Sequence, residues 1–127
     1  MTFDLNKDAL IASGSTLSHY CHGAAKAPGW WTGADLSDKH LVAAKLCLIH
    51  SEISEAMEGH RKGLRDDKIP SRPMIEVELA DAVIRIADLA GALGLDLGGA
   101  IAEKMAYNAV RVDHRPENRA KEGGKSY

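Results

Sequence analysis

The chain has 127 residues, 45% of them apolar and 27% charged, with a formal net charge of −2; this is the profile of one ordinary globular domain with enough surface to bury a core. The charge balance argues against a nucleic-acid binder, and two cysteines, Cys21 and Cys47, are too few for a disulfide framework or a cysteine-based zinc site. No apolar run approaches the roughly 18 residues of a membrane span, the first residues lack the basic and apolar regions of a signal peptide, and both thiols are expected reduced in a cytoplasmic protein.

With aromatics at only 5% and many Ala and Leu residues, the composition favours helices over sheet. A first helix is expected from about Leu5 to Ala25, weakened by Gly14 and by several Ser and Thr residues. The segment Ala27-Pro28-Gly29-Trp30-Trp31-Thr32-Gly33 reads as a punctuated loop. Ser37 is the expected N-cap of a second helix that runs to about Lys62, with Val42, Leu46, Ile49, Ile53 and Met57 as its apolar stripe. Gly63 opens a polar connection through Asp66, Asp67, Pro70 and Pro73. A third helix follows from about Met74 to Leu93, with Ile75, Leu79, Ala82, Ile86, Leu89 and Leu93 on its apolar face and Gly94 as its stop. Asp96 is placed to cap a fourth helix reaching about Val112, in which Ile101, Met105 and Val112 are expected to be buried. The segment from Asp113 onward, with its glycines and charges, is expected to be a tail that is mobile or docks late. Four helices with short connections predict an all-α protein, a four-helix bundle in one domain spanning residues 1–127.

The polar faces of the second and third helices carry the chemistry. Glu52 and Glu55 are three residues apart and share one helix face, which Glu58 continues; Glu78 and Asp81 repeat the spacing on the third helix. Like charges at this spacing weaken a helix by about 0.2–0.5 kcal/mol. Two such pairs on neighbouring helices make a patch that calls for a positive charge, and a hard cation such as Mg²⁺ takes carboxylate oxygens. On the fourth helix Lys104, Asn108 and Arg111 fall at i, i+4 and i+7. Cations and an amide facing a metal-loaded carboxylate cluster suit a polyphosphate.

These residues resemble a known family. Ser51-Glu52-Ile53-Ser54-Glu55-Ala56-Met57-Glu58, then Glu78-Leu79-Ala80-Asp81, then Lys104-x-x-x-Asn108-x-x-Arg111, look like the motifs of the MazG-like, all-α nucleoside triphosphate pyrophosphohydrolases. The resemblance covers roughly residues 41–114. It implies Mg²⁺-dependent cleavage of the α–β phosphoanhydride of a (deoxy)nucleoside triphosphate, giving a monophosphate and pyrophosphate. It further implies metal held by Glu52, Glu55, Glu78 and Asp81, with Mn²⁺ as a substitute, and assembly as a homodimer or homotetramer. Glu52 and Glu55 would then be the catalytic carboxylates, and Lys104, Asn108 and Arg111 the phosphate ligands. Many members carry a further Glu where this chain has Ser51, so the carboxylate that activates water is left open, as are the preferred base and a house-cleaning or pool-control role.

Other residues have two readings each. Trp30 and Trp31 are candidates for stacking on a nucleobase, or pack on the bundle or a subunit interface. Lys45, seven residues before Glu52, either reaches the phosphates or neutralises Glu52. His19 and His22 form a His-x-x-His without the further ligands that zinc needs, which favours a structural role, and His114 or Arg115 is a candidate phosphate contact. A ferritin-like di-iron bundle would need two Glu-x-x-His motifs, which are absent. The bland alternative to the hydrolase is a non-catalytic helical interaction module.

Overall fold

The computed structural model describes residues 3–111, 115–121 and 123. Those residues form an all-α protein of α1 (Lys7–Lys26), α2 (Lys39–Lys62), α3 (Met74–Ala92), α4 (Leu97–Val110) and a single turn, α5 (Pro116–Arg119). Strand pairing among them is limited to an isolated bridge between Arg65 and Pro73. None of their helices is long and apolar enough to cross a membrane. Val112, Asp113 and His114 lie outside the described residues.

The helix boundaries follow from local chemistry. The N-cap of α2 is Asp38 rather than Ser37: its carboxylate accepts the His40 N–H at 2.8 Å, while Asp35 takes both the hydroxyl and the N–H of Ser37, at 2.6 and 2.9 Å. Gly63 ends α2 at φ 61°, in the left-handed region that a side chain rarely adopts. Gly94, at φ 65°, follows the last turn of α3 as expected. Asp96 caps α4 by accepting the Gly99 N–H at 2.9 Å. The fourth helix stops at Val110, so Arg111 is an extended C-cap residue and not part of the helical face that carries Lys104 and Asn108.

The chain divides into two compact units, one of Met1–Ser15 with Asp96–Tyr127 and one of Thr16–Leu95. In the first, α1 crosses α4 glycine to glycine. A Cβ on Gly14 would collide with the Gly98 backbone, and one on Gly98 would meet the Ile11 backbone. The glycine that lowers helix propensity is therefore required by packing.

In the second unit α2 and α3 are the principal helix pair. What they bury is mostly small: Ala56 and Gly59 on α2, and Ala82, Ala87 and Ala90, together with Leu89, on α3. A Cβ on Gly59 would come within 2.8 Å of Met74 Cβ, and one on Gly91 within 2.7 Å of His22 Cβ. Much of the expected apolar stripe is not buried. Leu46, Ile53 and Met57 of α2 and Leu79 and Ile86 of α3 are exposed, as are Ile101 and Met105 of α4, where the sequence predicts burial. The periodicity marks an amphipathic face on each helix, but its largest side chains stay exposed, while Ala82 and Leu89 of the α3 stripe are buried.

Candidate functional site

Glu52 and Glu55 of α2 come together with Glu78 and Asp81 of α3. Glu52 is only 7% exposed and Glu78 only 9%. Glu52, Glu55 and Glu78 each offer a carboxylate oxygen, and the three oxygens lie within 4.8 Å of one another. Asp81, one turn along α3 from Glu78, lines the same cavity of about 440 Å³. All four expected metal ligands are thus brought to one cavity, three of them in a tight group.

Three carboxylates at this separation cannot all carry full charge at low cost. Burial, then a hydrogen bond with Glu52 and the neighbouring charges of Glu55, Glu52 and Asp81, push the Glu78 carboxyl up to about 7. Burial and then Glu52 also raise Asp81, with Arg85 acting against them. Burial opposes the charge on Glu52 too, but the Arg85 guanidinium and a hydrogen bond shared with Glu78 hold its carboxyl below the usual range. Glu78 Oε2 is buried with no hydrogen-bond partner among the described residues. A buried carboxylate oxygen without a partner, in a residue grouped with two further carboxylates, could serve as a metal ligand, and an all-oxygen donor set of this kind fits a hard cation such as Mg²⁺ or Mn²⁺.

The cation that accompanies Glu52 is one the sequence did not single out. Arg85 Nε donates to Glu52 Oε1 at 2.6 Å. The signal was present: Glu78, Asp81 and Arg85 fall at i, i+3 and i+7, one face of α3. Lys45 instead places its ammonium 4.4 Å from the centre of the Trp31 ring. Asp66, also missed, is buried in the α2–α3 connection. Its carboxylate accepts the N–H groups of Lys68 and Ile69 at 3.0 and 2.7 Å, which shapes the connection where it forms a wall of the acidic cavity.

A second cleft, about 240 Å³, shares Glu52, Asp81 and Arg85 with the first and extends to Trp30 and Lys45. The two tryptophans separate here. Trp31 Nε1 donates to Asp88 Oδ1 at 2.9 Å, the same oxygen lies 2.9 Å from His22 Nδ1, and the His22 and Trp31 rings meet edge to face. This network fixes Trp31 and gives His22 its structural role. Trp30 lines the cleft and is 71% exposed.

Lys104, Asn108 and Arg111 belong to the other unit. There Lys104 Nζ and the Arg111 guanidinium lie 4.9 and 5.7 Å from the centre of the Tyr107 ring, and Asn108 Oδ1 is buried without a hydrogen-bond partner among the described residues.

Compared with protein-family models, with curated proteins and with solved structures, the chain gives no significant match.

Proposed function

We propose that the chain is a Mg²⁺-dependent nucleoside triphosphate pyrophosphohydrolase of the MazG-like kind, built on a four-helix bundle, with Glu52, Glu55, Glu78 and Asp81 as the metal ligands. The observation that carries the proposal is the group of three carboxylates containing the orphaned oxygen of Glu78. A solvated acidic face would leave such groups apart and in water; here two of the three are buried. When bound, the metal supplies charge neutralisation at phosphate oxygens and raises the acidity of a water.

The protein's own groups do the rest. Glu52 and Glu78 are held in place by burial and by packing of α2 on α3. Glu55, the exposed member of the trio, is open to take a proton from an attacking water. Trp30 offers an exposed face on which a nucleobase can stack, beside the carboxylates it shares a cleft with. Lys104, Asn108 and Arg111 keep the phosphate-binding role that the family resemblance assigns to them. Cleavage between the α and β phosphates is likewise taken from that resemblance. Release of pyrophosphate from nucleoside triphosphates in Mg²⁺ tests the reading.

The exposed apolar face of α2 and α3 supports assembly with a second copy. The buried apolar residues are five alanines and Leu89, and no large side chain is fully buried among the described residues. A chain with so lean a core and so many exposed large apolar side chains on α2 and α3 is suited to completion by a symmetric partner. The same face is what a non-catalytic interaction module would present, but such a module has no use for buried carboxylates that lack partners.

A further inference from the structure

Arg85 stands apart from the residues the proposed function uses. It is the cation bound to Glu52, yet its side chain is 40% exposed while that of Glu52 is 9% exposed. It also lines both clefts, the acidic one and the one reaching Trp30 and Lys45. Arg85 therefore borders both cavities, together with Glu52 and Asp81.

Its hydrogen bonding is incomplete. An arginine has five N–H donors in a rigid fork. One of them, on Nε, is given to Glu52, and the Nη groups make no hydrogen bond to protein among the described residues. Four donors on a half-exposed fork beside a cavity suit two oxygens of one phosphate, the bidentate arrangement for which arginine is best shaped. Glu52, for its part, cannot give the same electron pairs fully to Arg85 and to a cation. The orphaned Oε2 of Glu78, in a residue more than nine-tenths buried, points independently to a ligand at this spot.

We infer that Arg85 is an exchange partner: it holds Glu52 while the carboxylate group is without a cation, and it binds the phosphate chain of the substrate through its Nη groups once a cation has taken Glu52. No covalent step is involved; one ion pair is replaced by two. This rests on the proposed hydrolase reading for its substrate, but the competition for Glu52 does not. In the protein without a cation Arg85 offsets repulsion among the carboxylates, and in the loaded protein it adds a positive charge on the side of the anionic substrate.

The test has a metal arm and a substrate arm, on wild type, Arg85→Ala and Arg85→Lys, with folding checked by circular dichroism. Mn²⁺ binding is measured alone, by electron paramagnetic resonance. If Arg85 competes for Glu52, Arg85→Ala binds Mn²⁺ about 3-fold tighter or more, and Arg85→Lys stays close to wild type, because a nearby positive charge opposes a cation whichever residue carries it. With nucleoside triphosphate and Mg²⁺, Arg85→Ala raises KM by about 10-fold or more with a smaller change in kcat, and Arg85→Lys recovers part of the loss as a single-point cation. Weaker Mn²⁺ binding by Arg85→Ala would overturn the exchange and make Arg85 a mere orienter of Glu52. An unchanged KM would overturn the phosphate contact. Should Arg85→Ala fail to fold, Arg85→Gln replaces it with the same expectations. A wild type that binds Mn²⁺ but hydrolyses no triphosphate would overturn the hydrolase reading, and the direction of the Mn²⁺ shift would still decide the competition for Glu52.

Discussion

Replacing Glu78 by Gln should stabilise the protein without metal, the opposite of what most buried substitutions do. Glu78 is buried, one of its oxygens has no partner, and Glu52 and Glu55 crowd it. An unsatisfied buried polar group costs about 1–3 kcal/mol. A Gln of the same shape removes the charge and brings an N–H₂ that a neighbouring carboxylate accepts. For a chain of this length a gain of about 1 kcal/mol raises Tm by roughly 3–6 °C.

The pH dependence follows with a definite sign. The carboxyl of Glu78, raised to about 7 in the fold, titrates near 4.3 when unfolded. Between those values the native state binds more protons than the unfolded one. Stability of the metal-free protein therefore falls as pH rises from about 4.5 to about 7 and levels off above. Asp81, raised in the same direction, adds to the fall, and Glu78→Gln should flatten it. Mg²⁺ acts the other way: at a tenfold excess over Kd, binding to the native state alone contributes about 1.4 kcal/mol. This gain should be larger at pH 8 than at pH 5.5, where the cation must displace a proton. The assay is thermal melting of wild type and Glu78→Gln at both pH values, with EDTA and with millimolar Mg²⁺. A Glu78→Gln protein that melts lower than wild type at pH 8 in EDTA and gains as much from Mg²⁺ would refute the reasoning.

Trp30→Ala should raise KM for the preferred triphosphate by about 10-fold, the worth of ~1–3 kcal/mol for a stack, whereas Trp31→Ala should mainly lower Tm by releasing Asp88 and His22; steady-state kinetics and melting on both variants separate the roles, and an unchanged KM for Trp30→Ala would return it to a structural one. Gly59→Ala should destabilise the protein by about 1–3 kcal/mol despite the better helix propensity of Ala, because the new methyl runs into Met74; chemical denaturation that shows a gain would contradict the close packing of α2 on α3. Sedimentation at micromolar concentration should show at least a dimer, and Ile53→Glu should shift it towards the monomer; a wild type that sediments only as a monomer would contradict assembly through the apolar face.

The existence and order of the four long helices could be read from periodicity and punctuation. Asp96 and Gly94 act as the sequence indicates because caps are local. The N-cap of α2 shifted by one residue because Asp35 captures Ser37, a competition between side chains that propensity does not rank. The acidic group was legible since Glu52, Glu55, Glu78 and Asp81 announce their shared faces through spacing alone. Which side of α2 meets α3 was not. Leu46, Ile53 and Met57 outweigh Ala56 and Gly59 in hydrophobicity, but close approach of two helices rewards small residues. Arg85 is hard to read for a related reason: flanked by Ile84 and Ile86, it looks like the polar interruption of a stripe, and only its partner across the helix pair, Glu52, gives it meaning. Gly14 likewise looked like a flaw in α1 until Gly98 was placed against it.

The most direct test of the central claim is to identify the products when a set of nucleoside triphosphates is incubated with the protein and Mg²⁺. The account predicts monophosphate and pyrophosphate in equal amounts, no activity in EDTA, and a fall in kcat of about 100-fold or more in Glu52→Gln or Asp81→Asn, each of which removes a metal ligand. Diphosphate with orthophosphate would contradict the bond assignment, and full activity in EDTA would contradict the account as a whole.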